Sequence, residues 1–171
     1  MLIKLSIYEG LTQISRPELI LDETVIPSRC TPNPNSPYKA NYEWLFEYER
    51  KLCRFLKPWM SHLRYELIGD KGVLCEALSN AFSHAHGKDP DKLITVRVYK
   101  GEQGLLIRIK DCGNGFDVQF VIKQYAKGKT YYHTAGNGLH NMVISPFDIF
   151  YTDNGAAFNL LYLFDKTACN C

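Results

Sequence analysis

Glu76 and Asn80 stand four residues apart in the run Leu74-Cys75-Glu76-Ala77-Leu78-Ser79-Asn80-Ala81-Phe82-Ser83-His84-Ala85. Leu74, Ala77, Leu78, Ala81, Phe82 and Ala85 recur at three- and four-residue steps, the stripe of an amphipathic helix. Glu76, Asn80 and Ser83 or His84 then share a second, polar stripe. A carboxylate and a carboxamide oxygen one turn apart on a rigid element suit a hard cation and a water or hydroxyl to be activated. The same spacing is equally that of the wet face of an ordinary helix.

A second group of residues follows at a strand end. Residues 93–99 and 105–110 are apolar runs joined by Gly101-Glu102-Gln103-Gly104, a hairpin pattern. The second run ends on Asp111-Cys112-Gly113-Asn114-Gly115-Phe116-Asp117. An aspartate there can accept hydrogen bonds from a ligand edge while the glycines let the backbone turn beside it, although Asp and Gly also build plain turns. Further on, Gly136 and Gly138 lead into a helix through Leu139-His140-Asn141-Met142. Backbone amides freed by such glycines seat a phosphate or simply cap a helix. Between the two glycine motifs, residues 118–135 carry Lys123, Lys127 and Lys129, either a solvated basic loop or ammonium groups that reach anionic oxygens.

In this order, ExxxN, DxGxGFD and GxGL resemble the N box and the two glycine boxes of the GHKL (histidine kinase-like) ATP-binding fold. The N-box run is most similar to the short, stand-alone anti-sigma factor serine/threonine kinases, and the resemblance covers residues 60–165. It implies an α/β (α+β) two-layer sandwich, a mixed and largely antiparallel sheet with helices on one face. One domain would span 1–171, with divergent strands and a proline-rich loop over 1–40 and the ATP-binding core over 41–171. ATP and Mg²⁺ are the implied cofactors. Asn80 would ligate Mg²⁺, and Glu76 would act as the base that deprotonates a serine hydroxyl or positions water. Asp111 would accept the adenine amino group, with Gly113 and Gly115 letting the base lie close. Gly136, Gly138 and Leu139 would bring the backbone to the phosphates, Lys127 and Lys129 would reach them from a mobile lid, and His84 would border the pocket. Phosphoryl transfer asks mainly for positioning and charge neutralisation, which this set supplies. The implied partners are a sigma factor and an anti-anti-sigma-like protein bearing the acceptor serine, and a homodimer is compatible. The alternatives are a nucleotide-dependent binding module without turnover and an orphan histidine-kinase catalytic domain.

Two positions depart from the family pattern. Relatives usually carry a threonine after the glycine before the last strand, where its hydroxyl supports the adenine-binding aspartate through water; here Gly155 is followed by Ala156. One such hydrogen bond is worth about 1 kcal/mol, or about fivefold in affinity. Ser83 stands where many members have a basic residue. Ser61-His62-Leu63-Arg64 is faintly similar to a phosphoacceptor box but lacks the long helical hairpin such a box needs, so His62 reads as a helix-surface residue.

The remaining elements must position these groups. The chain has 171 residues with a formal net charge of +2, room for about one core and no basic stripe for nucleic acid. No signal peptide or spanning run is evident, so a soluble cytoplasmic protein is expected. Six scattered cysteines without a CxxC read as buried reduced thiols, with Cys169 and Cys171 in a frayed tail. Strands are expected over Leu2 to Tyr8 and Glu18 to Ile26, and a broken loop over Thr31 to Pro37. A core helix from Asn41 carries Trp44, Leu45, Tyr48, Leu52, Phe55 and Leu56 and should end or bend at Pro58. A closing hairpin is expected over Phe147 to Tyr151 and Ala157 to Phe164.

Overall fold

The computed structural model describes residues 3–30, 40–69, 72–85, 87–127 and 138–164. In chain order these form α1 (Ile7–Ile14), β1 (Glu18–Val25), α2 (Ala40–Met60), α3 (Arg64–Leu67), α4 (Val73–Asn80), a π-helical turn (Ala81–Ala85), β2 (Ile94–Lys100), β3 (Gly104–Lys110), α5 (Val118–Ala126), α6 (Gly138–Ile144), β4 (Asp148–Thr152) and β5 (Ala157–Leu163). The sheet has five strands in the order β1-β2-β3-β5-β4, and every pairing among the described residues is antiparallel. The α+β sandwich expected from the sequence is therefore present, without a parallel pair among the described residues.

Alternation along the strands divides the sheet into two faces. Ile94, Val96 and Val98 of β2, Leu105, Ile107 and Ile109 of β3, and Phe158 and Leu160 of β5 pack with Trp44, Leu45, Tyr48, Leu52 and Leu56 of α2 and Leu74, Ala77 and Leu78 of α4. The aromatic stripe of α2 is thus core. Its helix runs through Pro58 and stops two residues later at Met60, close to the end expected at the proline. Polar ties complete the seating. Glu23 of β1 accepts hydrogen bonds from Tyr48 Oη (3.0 Å) and Lys51 Nζ (2.7 Å) of α2. Buried Glu49 of α2 accepts one from Gly69 N (2.8 Å), which holds the approach to α4.

The first residues correct the sequence expectation. Of the strand expected over Leu2 to Tyr8, residues 3–8 do not form one, and Leu2 lies outside the described residues. Ile3, Leu5 and Ile7 are half-buried against the cluster of Leu106, Phe150 and Leu161, which accounts for the alternation, and Ile3 N reaches the sheet at Ile149 O (2.8 Å). Helix starts at Ile7 because Ser6 and Glu9 make a reciprocal capping box, Glu9 N to Ser6 Oγ at 3.2 Å and Ser6 N to Glu9 Oε2 at 2.6 Å. α1 covers Leu106, Phe150 and Leu161 on the face opposite α2, with Ile14 fully buried beneath it.

Cys30, Cys53, Cys75 and Cys112 are free thiols, but against the expectation of buried ones the first three are half-buried and Cys112 is exposed; partial burial pushes the Cys30 and Cys53 thiols up. Cys169, Cys171 and the loop from Thr31 to Pro37 lie outside the described residues. Among the described residues no cluster of side chains could hold a metal by itself, and no helix is long and apolar enough to cross a membrane.

Gly10 marks how closely α1 is seated, since a Cβ there would lie 2.8 Å from Phe150 Cζ and 2.9 Å from Leu106 Cδ1. Gly10→Val should lower stability by about 2 kcal/mol through overpacking. Urea unfolding checks this, and an unchanged midpoint would mean that α1 does not rest on the sheet.

Candidate functional site

Val73, Leu74, Ala77 and Leu78 of α4 are buried toward the sheet, which turns Glu76 and Asn80 the other way. The two side chains stand one helical turn apart. Burial pushes the Glu76 carboxyl above its usual range, and hydrogen bonding from Asn80 opposes the shift. A carboxylate so raised is a better proton acceptor near neutral pH than an exposed one. Its far side lies against the first residue of α6: a Cβ on Gly138 would overlap Glu76 Oε1 and Cδ, so the carboxylate would have to move aside for any larger residue there.

Past Asn80 the helix widens into the π turn of Ala81–Ala85, a distortion often found at functional sites. Phe82 anchors it through edge-on contacts with Tyr42 (5.8 Å between ring centroids) and Trp44 (5.4 Å). His84 is left exposed at the rim.

The aspartate end of β3 is held by a second loop. Asp111 N donates to Ala156 O (3.0 Å) and Phe116 N to Asn154 O (2.9 Å), so the turn after β3 leans on the turn between β4 and β5. Asp111 Oδ1 accepts from Gly113 N at 2.7 Å. Gly115 (φ 74°) and Gly155 (φ 93°) are both in the left-handed region and face the opposite backbone. A Cβ on Gly115 would overlap Asn154 O, and one on Gly155 would lie 2.5 Å from Phe116 O. Asp117 then caps α5 by accepting from Phe120 N at 2.9 Å.

These parts enclose a cavity of about 310 Å³. Ala77, Ala81 and Ala85 form one side, Ile109 and Phe158 line the sheet side, and Phe116, Val118, Val121, Ile122 and Met142 close it. The polar side chains on the lining are Glu76, Asn80, His84, Asp111 and Tyr151. Tyr151 donates to Met142 Sδ (3.3 Å) and meets Phe116 and Phe158 edge-on at 5.1 and 5.8 Å between centroids. Apolar walls with a few placed polar groups are what a planar heteroaromatic ligand requires.

Six of the expected residues line this cavity: Glu76, Asn80, His84, Asp111, Gly115 and Gly138. Gly113 does not; it packs behind, where a Cβ would come within 2.9 Å of Ala85 Cβ and O. Lys127 is exposed beyond the end of α5 and is not on the lining. Lys129 and Gly136 lie outside the described residues, as does the side chain of Leu139. Tyr151, Met142 and the α5 residues were not singled out from the sequence. Val118, Val121 and Ile122 follow helical spacing, a usable signal in a stretch otherwise read for its lysines.

The raised Glu76 carboxyl has a consequence for stability. Between its unfolded and folded values the folded protein holds more protons, so stability falls as pH rises through that interval. Glu76→Gln, which mimics the protonated acid, should be more stable than wild type at pH 7, and the difference should vanish below the unfolded carboxyl value of 4.5. Thermal melts across that range check it; equal stability at both ends would mean that burial does not penalise the charge.

Residues 45–143 match the histidine kinase-like ATPase domain. No curated protein matches the chain. The family match covers more than half of the sequence and runs from α2 through most of α6, the helices and strands that bring Glu76, Asn80 and Asp111 onto one cavity. The chain belongs to the histidine kinase-like ATPase domain family.

Proposed function

We propose that this is a cytoplasmic Mg-ATP-dependent serine/threonine protein kinase of the anti-sigma factor type. The observation that carries the reading is the pairing of half-buried Glu76 with Asn80 on the cavity wall, abutting Gly138 at the start of α6. The cavity suits a nucleotide: its apolar walls take a flat base, Asp111 offers a carboxylate to an exocyclic amine, and the glycine that begins α6 leaves space beside the catalytic pair.

Asn80 would hold Mg²⁺ through its carboxamide oxygen while its amide stays on Glu76. The bound cation supplies charge neutralisation at the phosphates. Lys127, Lys129 and the backbone at Gly136 and Gly138 would add positive potential there, and His84 would border the phosphate side. Glu76 would take the proton of an acceptor serine as the serine oxygen bonds to the γ-phosphorus and the bond from that phosphorus to ADP breaks. Its raised pKa would let it hold that proton on a carboxylate oxygen. A sigma factor would bind as partner, and a small anti-anti-sigma-like protein would carry the serine.

Ala156 supports a second reading. The family's threonine hydroxyl is missing beside Asp111, whose backbone N–H bonds to Ala156 O at 3.0 Å, and a weakened base site suits a nucleotide-dependent binding module without turnover. Incubation with labelled ATP and a panel of small acceptor proteins separates the two. The kinase reading expects acid-stable label on one acceptor, reduced about 100-fold or more by Glu76→Gln with nucleotide binding retained. Label on none of the acceptors supports the module, acid-labile label supports a histidine-kinase catalytic domain, and transfer at the wild-type rate by Glu76→Gln overturns the assignment of the base.

A further inference from the structure

We propose that a charged clamp on the face of the sheet away from the cavity, Arg108 and Lys110 closing on Asp153, sets the conformation of the turn that presents Asp111. The purpose of the clamp rests on the nucleotide reading above; its geometry does not.

The turn between β4 and β5 is strained. Asp153 (φ 53°), Asn154 (φ 55°) and Gly155 (φ 93°) are three consecutive left-handed residues, and two of them carry a Cβ. Aspartate and asparagine are the non-glycine types that enter this region most readily, and a run of them persists only where the surroundings hold it. Here the surroundings are ionic. Arg108 Nη2 lies 2.9 Å from Asp153 Oδ2, and the Lys110 ammonium meets the same oxygen. Arg108 Nη1 also donates to Thr152 Oγ1 (2.7 Å) and Asn159 Oδ1 (3.0 Å). Asn159, with no exposed surface, donates in turn to Phe150 O, Thr152 Oγ1 and Ala157 O, each at 3.2 Å. The Arg108 side chain is only 11% exposed, so its ion pair is screened less than a surface pair. The Asp153 carboxyl is accordingly held below its usual range, chiefly by Lys110 and then by Arg108.

The other side of the same turn is the support of the ligand-facing loop. Asn154 O accepts Phe116 N (2.9 Å) and Ala156 O accepts Asp111 N (3.0 Å), so two hydrogen bonds bracket residues 111–116. Gly115 and Gly155 let the two backbones approach more closely than residues with a Cβ would allow. Arg108, Lys110, Asp153 and Asn159 are absent from the cavity lining, yet each bears on the turn against which Asp111 is registered. They are positioning residues: they act on the base through Asp111, and they give the site a rigid back that compensates for the missing threonine hydroxyl.

The test is residue-resolved amide exchange under native conditions, which needs no ligand. Arg108→Met and Asp153→Ala should speed exchange of the Asp111 and Phe116 amides about tenfold or more while buried amides of β2 change far less. Arg108→Lys, which keeps the charge, should restore much of the protection. Asp153→Asn serves if the alanine variant fails to fold. In parallel, the ratio of ADP to GDP affinity should fall about fivefold or more in Arg108→Met, because base choice depends on where Asp111 stands. Exchange at Asp111 and Phe116 that is unchanged, or that moves in step with β2, overturns the clamp. An unchanged ADP to GDP ratio overturns its role in base recognition. Wild-type protein that binds neither nucleotide overturns the underlying reading instead, and is told apart because the exchange response would remain.

Discussion

A carboxylate drawn out of water needs a partner, and the arrangement that meets this need for Glu76 organises the site. Asn80 stands one turn on in the same helix, and Gly138 closes on the other side of the carboxylate without a side chain. The second contact depends on where α4 sits. The helix is fixed by the apolar seam it shares with α2 and the sheet and by the buried Glu49 that accepts Gly69 N ahead of it. A shift of α4 would carry Glu76 and Asn80 together and change how both stand against Gly138. The large aromatic core thus serves to hold one carboxylate and one carboxamide in register against the start of a distant helix.

The aspartate side of the cavity is built differently. There it is backbone against backbone, with Gly115 and Gly155 allowing two loops to approach more closely than any side chain would permit. The left-handed turn Asp153-Asn154-Gly155 carries the Arg108, Lys110 and Asp153 cluster on the opposite face. One half of the site is therefore set by apolar packing and the other by a polar network, and the sheet, the packing of Gly113 on Ala85 and the hydrogen bond from Tyr151 to Met142 join them. β3 contributes to both, since Ile107 and Ile109 enter the main core while Arg108 and Lys110 enter the clamp.

What could be read in the sequence was local and periodic. The Glu76 and Asn80 spacing, the hairpin of Ile94–Lys100 and Gly104–Lys110 and the core stripe of α2 needed no distant information, and all are found. The start of the chain misled because Ile3, Leu5 and Ile7 alternate and are half-buried, while the choice of helix from Ile7 was made by the Ser6 capping box and by a surface of Leu106, Phe150 and Leu161 drawn from three distant strands. The π turn was invisible, because the apolar spacing of Ala77, Ala81 and Ala85 continues across it. Gly155 drew attention only as the neighbour of a missing threonine. Its contact with Phe116 joins residues far apart in the chain, which no local pattern could announce.

The central claim is that the cavity beside Glu76 and Asn80 binds Mg-nucleotide. Calorimetric titration with ADP and a non-hydrolysable ATP analogue, with and without Mg²⁺, tests it most directly on wild type and Asn80→Ala. The account predicts a dissociation constant of about micromolar order that depends on both Mg²⁺ and Asn80. Absence of heat at about millimolar nucleotide, or equal binding by Asn80→Ala with and without Mg²⁺, would contradict it.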